Sequence, residues 1–364
     1  MTAAVLACSA VPAAAAPPRP PQPPPEFFGI GPQEAFSDED AAYMAAGGIG
    51  SVRWPFSWST VQPTATGGYH WEEIDAVVAT AARHGLRVLP FLYGTPGWVA
   101  GRETRLPVDS GAARSEWTDF LQAAVERYGP GGEFWRLHSV STFTEAALAP
   151  LPIRTWQIWN EANFHYFAYP VSPRRYAKLL AISTPAIKAA DPGARVVLAG
   201  LFGEPTERGA RGMPAVSFLE ALYRVPSIAR YFDAVAVHPY AASLPELRRV
   251  VSGMRRVVTE HHDDAGLYVT EMGWGSQDDY RQVAFEQGAQ GQARALRGAY
   301  RFLLAERRRL HLMGVYWFSW KDLAGSCDFC DSVGLFDAGA GFVAKPAWRA
   351  FVGLTGGSER PAAP

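Results

Sequence analysis

From residue 27 onward the chain alternates between two apolar patterns. Short runs rich in β-branched and aromatic residues predict strands at 27–31, 50–54, 86–93, 153–159, 195–201, 232–238, 267–271 and 313–320. Between them apolar residues recur at helical spacing. Ile74, Val77, Val78 and Ala81 follow the i, i+3, i+4, i+7 rule and close at Gly85. Trp117, Phe120, Leu121, Ala124, Val125 and Tyr128 do the same ahead of Gly129 and Pro130. Leu247, Val250, Val251, Met254, Val257 and Val258 form the clearest stripe, opened by Pro245 at a first-turn position. Leu296, Tyr300, Leu303 and Leu304 supply the helix before the last strand. Ser37 followed by Asp38, Glu39 and Asp40 reads as an N-cap with acids in the first turn, and Gly47-Gly48 as the stop.

Strands apolar on both faces and separated by helices imply a parallel sheet with right-handed crossovers. Eight such units favour a closed (β/α)₈ TIM barrel over an open, doubly wound sheet. No G-x-G-x-x-G or G-x-x-x-x-G-K-[ST] follows the first strand, which removes the main reason to expect a nucleotide-binding fold. The expected organisation is one catalytic barrel over 26–356 and a short flexible tail at 357–364. No appended β-domain is expected, as little sequence follows the eighth strand. Residues 129–152 are a long insertion before strand four, expected as loop structure at one rim.

Composition narrows the function. Of the 364 residues 48% are hydrophobic and 13% aromatic, with 12 Trp, and the net charge is −1. Balanced charge gives no pull toward nucleic acid or an anionic membrane. The aromatic excess suits a sugar-binding cleft, because pyranose rings present apolar C–H faces to an indole, although any single Trp is more often core. Residues 5–16 (VLACSAVPAAAA) are a short apolar run ending in A-x-A-like tripeptides, followed by a Pro-rich stretch. They read as a secretory segment plus an extended spacer covering 1–25, too short for a membrane span. Export is therefore expected, with a weak lipobox-like Val5-Leu6-Ala7-Cys8 offering a lipid anchor at Cys8 as a variant, and a monomer as the working state. Of three Cys, Cys327 and Cys330 form a C-x-x-C with no second Cys pair or nearby His, so a local disulfide is the better reading than a metal site.

In such a barrel chemistry happens at the C-terminal strand ends. Strand four ends Trp156-Gln157-Ile158-Trp159-Asn160-Glu161 and strand seven ends Val269-Thr270-Glu271. Two carboxylates placed there can face one bond from opposite sides. Retaining glycoside hydrolysis needs such a pair about 5–5.5 Å apart, one attacking the anomeric carbon and one protonating the leaving oxygen. Like charges that close resist double ionisation, so one stays protonated and serves as the acid. Asn160 can hold a sugar hydroxyl, His238 and Tyr240 can orient the nucleophile, Arg53 can keep Glu271 ionised, and Trp317 with Trp320 can floor the sugar site. Singly, a lone Glu is as often a structural ion pair, His238 a core histidine and Trp320 packing. Together they occupy one rim.

At this point the sequence resembles a known group. Trp159-Asn160-Glu161-Ala162-Asn163 is similar to the W-N-E-P-N signature of clan A glycoside hydrolases, and Thr270-Glu271-Met272-Gly273-Trp274 to their nucleophile motif. Thr95-Pro96-Gly97-Trp98 and His238-Pro239-Tyr240 also match, most like glycoside hydrolase family 39 and its bacterial relatives, over about residues 27 to 355. The resemblance implies Glu161 as acid/base, Glu271 as nucleophile and Asn160 as partner of the 2-hydroxyl. It places Arg53, Trp98, His238, Tyr240 and Trp317 around the cleaved bond. Ala162 stands where the signature has Pro. The family's xylosidases usually carry an extra β-domain that is not expected here, which points instead toward shorter relatives acting on polysaccharides.

The resulting expectation is a retaining glycosidase with a carbohydrate substrate, no cofactor and no metal. A carbohydrate-binding barrel without catalysis is the alternative, and a metal-dependent hydrolase a further one, disfavoured because no H-x-H or Lys stands out at a strand end. Lesser candidates are Asp322, Asp328 and Asp331 as a conceivable calcium or subsite cluster, and Glu204 as a neighbouring-sugar contact. His165, Tyr166, Phe167 and Tyr169 are candidate cleft-wall aromatics. Arg307-Arg308-Arg309 suits the negative end of its helix and needs no ligand.

Overall fold

The computed structural model describes residues 23–141, 146–278, 285–325 and 331–362. Eight parallel strands close into a barrel in sequence order: β1 (Phe28–Gly31), β2 (Ser51–Ser57), β3 (Arg87–Tyr93), β4 (Thr155–Ile158), β5 (Arg195–Phe202), β6 (Ala234–His238), β7 (Gly266–Met272) and β8 (Leu312–Phe318). Closure is direct, with Phe28 of β1 opposite Val315 of β8. All eight expected strands are present, with ends displaced by at most three residues.

The helices bury the stripes that the spacing predicts. In Leu244–Glu260 the six apolar residues of the stripe, Leu247 to Val258, are all buried against the sheet. Each contributes about 1.5–3 kcal/mol relative to exposure. Ser37 caps Asp38–Ala46 through a full capping box with Asp40, and Gly48 (φ 83°) and Gly85 (φ 69°) take left-handed backbone just after their helices. The insertion before β4 differs from expectation. It carries a short helix, Glu133–Leu137, because Phe134 and Trp135 find core to pack in, the Trp135 indole N–H donating to the Tyr128 carbonyl at 2.8 Å. Preceding β4, it belongs to the N-terminal rim, away from the carboxylates. Among the described residues no helix is long and apolar enough to cross a membrane. Cys8, Cys327, Cys330 and Asp328 lie outside the described residues, and so do the anchor and disulfide readings.

Candidate active site

Two local irregularities aim the carboxylates inward. After β4 ends at Ile158, Trp159 (φ 71°) and Glu161 (φ 38°) adopt left-handed backbone, which costs about 1–3 kcal/mol for each non-glycine residue. The turn is held by its neighbours. Trp159 donates its backbone N–H to Leu92 (2.8 Å) and its indole N–H to the Phe167 carbonyl (2.7 Å), and Glu161 donates to the Gly200 carbonyl (3.2 Å). On β7 the register against β8 breaks between Val269 and Met272. A break of this kind re-aims side chains, and here Thr270 and Glu271, adjacent in sequence, both reach one polar cluster. A carboxylate oxygen of Glu161, one of Glu271 and a ring nitrogen of His238 lie within 4.8 Å of one another.

The two carboxylates meet opposite electrostatics. Glu271 accepts from Arg53 Nη1 at 2.6 Å on one oxygen and from the Tyr240 hydroxyl at 2.8 Å on the other. Arg53 is itself fixed from three sides: Nε donates to Gln157 (2.7 Å), Nη2 to Asn160 Oδ1 (2.7 Å), and the guanidinium lies 4.0 Å over the Phe91 ring. This leaves the Asn160 amide N–H₂ without a partner among the described residues, ready to donate. Among the described residues no arginine is hydrogen-bonded to Glu161. Burial, and then the neighbouring Glu271 charge, push its carboxyl well above the usual carboxylate range, and the Arg53 charge only partly offsets them. Burial pulls His238 well below the ordinary imidazole range. His238 is therefore neutral, and its contacts, Nδ1 to Glu161 (2.7 Å) and Nε2 to the Thr270 hydroxyl (3.0 Å), are hydrogen bonds rather than ion pairs. Burial, and then Glu271, also raise Tyr240, so its hydroxyl keeps the proton it donates.

Of the residues singled out from sequence, Arg53, Asn160, Glu161, His238, Tyr240 and Glu271 come together. Two do not. Trp317 has no exposed surface, its indole donating to the Val333 carbonyl and its ring packing beside Trp274, so it offers no face to a sugar. Trp320 is likewise buried, bonded to Asp40 at 2.8 Å. The β8 aromatic that meets the site is Phe318, its ring 6.4 Å from that of Tyr240. Trp98 is half-buried against Trp58 and has its indole N–H engaged by the Gln62 carbonyl. Asp322 is bound to buried Lys345 at 2.6 Å and accepts from the Gly334 N–H, so it has little capacity left for calcium. Asp331 accepts from the Gly325 N–H, and Glu204 is exposed.

Sequence reasoning missed four residues. Gln157 bridges Arg53 and the Leu198 carbonyl, and Thr270 supports His238. Asn163 ties the loop after Glu161 to β5 through the Phe202 backbone (2.9 and 2.7 Å). Gly200 makes room for the imidazole, because a Cβ there would stand 1.9 Å from His238 Nε2. Glu161, His238 and Glu271 are also a donor set of metal-binding type. Arg53 already neutralises Glu271, however, which makes the cluster a poor host for a second cation.

No family model matches the sequence, and no curated protein does. Solved structures do match. A family 39 glycoside hydrolase from the gut symbiont Bacteroides cellulosilyticus superposes with a TM-score of 0.65 at 18% identity, over 92% of this chain and 65% of that one. A family 39 β-xylosidase from Caulobacter crescentus gives 0.61 at 19% identity, over 93% and 73%. An exo-β-1,4-mannosidase from an Opitutaceae bacterium gives 0.58 at 14% identity, over 90% and 58%. The chain thus spans just under two thirds of the Bacteroides enzyme. At such identities the likeness is one of fold, and the fold is the barrel that family 39 glycoside hydrolases share.

Proposed function

We propose that the protein is a glycoside hydrolase that cleaves O-glycosidic bonds of an oligo- or polysaccharide with retention of configuration. The observation that carries this reading is the approach of Glu161 and Glu271 oxygens to within 4.8 Å, one acid buried and bonded to no Lys or Arg among the described residues, the other held against Arg53. That separation supports direct attack, since an inverting pair stands about 6.5–9.5 Å apart to admit a water. In the first step a Glu271 oxygen bonds to the anomeric carbon as the glycosidic C–O bond breaks, and the Glu161 proton goes to the departing oxygen. In the second, Glu161 takes a proton from water, the water oxygen bonds to the same carbon, and Glu271 leaves. Asn160 donates to the sugar beside the reacting centre, while His238 and Tyr240 fix the two carboxyls. We read the enzyme as exported, on the strength of residues 5–16.

The test is turnover on a panel of aryl glycosides and polysaccharides, with and without a chelator. Hydrolysis that survives chelation is the expected result. Saturable sugar binding without turnover would favour the alternative of a non-catalytic carbohydrate-binding barrel, and loss on chelation would favour a metal-dependent hydrolase. The His238 support gives a sharper expectation. Gly200→Ala should push the imidazole off Glu161, lowering kcat/KM at least tenfold at a stability cost of about 1–3 kcal/mol from overpacking. Parallel kinetics and thermal melts check this, and wild-type kinetics in that variant would deny His238 its positioning role.

A further inference from the structure

The loop that follows Glu161 carries an unusual exposure. Among the described residues, five large hydrophobic side chains are exposed, and two of them, Tyr166 (65%) and Tyr169 (39%), fall within eight residues of this carboxyl. Single exposed apolar residues need no explanation. Tyr166 is different because it is braced. One side of its ring lies against the His165 imidazole, 4.3 Å away and 33° from parallel, and Phe164 meets it at 5.0 Å and 82°. His165 is in turn held by Arg211 (3.0 Å) and lies 3.6 Å from Glu207. From Phe164 the rings continue inward to Phe202 (5.0 Å, stacked) and on to Tyr240 (5.9 Å), whose hydroxyl donates to Glu271. A supported aromatic line therefore runs from the reacting centre to an open phenol face at the rim.

Direction follows from the chemistry. With the anomeric carbon at Glu271, the departing oxygen points at Glu161, and whatever that oxygen carries extends over the loop next to Glu161. An exposed ring held in place by its neighbours loses little freedom on binding, and a phenol offers a rigid amphipathic surface to the apolar C–H face of a pyranose. Resting on the glycosidase reading, we infer that Tyr166 is a stacking platform for a sugar on the leaving-group side of the cleaved bond, so that the substrate is a chain continuing past that bond. Three ring-to-ring steps, of 5.9, 5.0 and 5.0 Å, link Tyr240 to Tyr166, so the platform is joined to the reacting centre through Phe202 and Phe164 and does not touch it directly.

The experiment compares kcat/KM on an aryl monoglycoside with kcat/KM on oligosaccharides of two to six residues of the same sugar, for wild type, Tyr166→Ala and Tyr166→Trp. Wild type is expected to gain with chain length. Tyr166→Ala should cut that gain about tenfold, through KM rather than kcat, with an unchanged melting curve, and Tyr166→Trp should keep it. An equal gain in wild type and Tyr166→Ala, with the aryl glycoside still cleaved, overturns the platform alone. Wild type inert on every substrate overturns the hydrolase reading and the platform with it.

Discussion

Glu271→Ala is expected to lower kcat/KM by about 10⁴-fold or more, on the order of 5 kcal/mol of lost transition-state stabilisation. The size follows from the proposed role, in which this side chain forms the bond to the anomeric carbon and no other carboxylate of the cluster is charge-paired for attack. Sodium azide should restore turnover by entering the vacated space and attacking the same carbon, giving a glycosyl azide of inverted configuration. Arg53 is buried, and stripping its partner leaves an uncompensated charge that costs about 3–5 kcal/mol. Glu271→Gln, which keeps volume and an acceptor oxygen, separates that folding penalty from the chemical one. It should fold close to normally and remain inactive. Wild-type turnover in Glu271→Gln would remove the nucleophile assignment.

Glu161→Ala should show a different signature, set by the leaving group. A general acid contributes about 10²–10⁴-fold, and only where the departing oxygen needs a proton. Natural glycosides should lose in that range, whereas aryl glycosides with acidic phenols should lose far less in the bond-breaking step. The pH dependence has a definite sign. In its proposed role Glu161 works only when protonated, and burial and Glu271 raise its pKa. Wild-type kcat/KM on natural substrates should therefore fall as pH rises through that raised value. The alkaline fall should disappear in Glu161→Ala acting on good leaving groups. Equal losses on both substrate types, with the alkaline limb intact, would count against the acid role.

The barrel was legible because eight apolar strands and the helical stripes between them have different periods, and the paired carboxylates because each Glu ends such a strand. Residues inside the cluster were harder to read, for reasons that differ. Gln157 looks like a polar interruption in Trp156-Gln157-Ile158-Trp159, but a polar side chain in a strand buried on both faces has to be hydrogen-bonded, and that signal was there to be used. Gly200, in the middle of an apolar strand, likewise marks a close approach. The Trp317 expectation failed on a question that alternation leaves open. In a strand with core on both sides, one residue of register decides whether an aromatic faces helices or cleft, and it is Phe318 that meets Tyr240. The left-handed backbone at Trp159 and Glu161 has no residue signature at all, since neither is Gly or Asn. It is imposed by the bonds that Trp159 and Glu161 donate to the Leu92, Phe167 and Gly200 carbonyls.

Double displacement at one carbon makes a demand that no binding module or inverting enzyme can meet. Proton NMR of the first sugar released from a substrate of known anomeric configuration reads it directly. The geometry of Glu161 and Glu271 predicts that this sugar appears with the starting configuration before mutarotation scrambles it. A first product of the opposite anomer would mean that water, not Glu271, attacks the carbon.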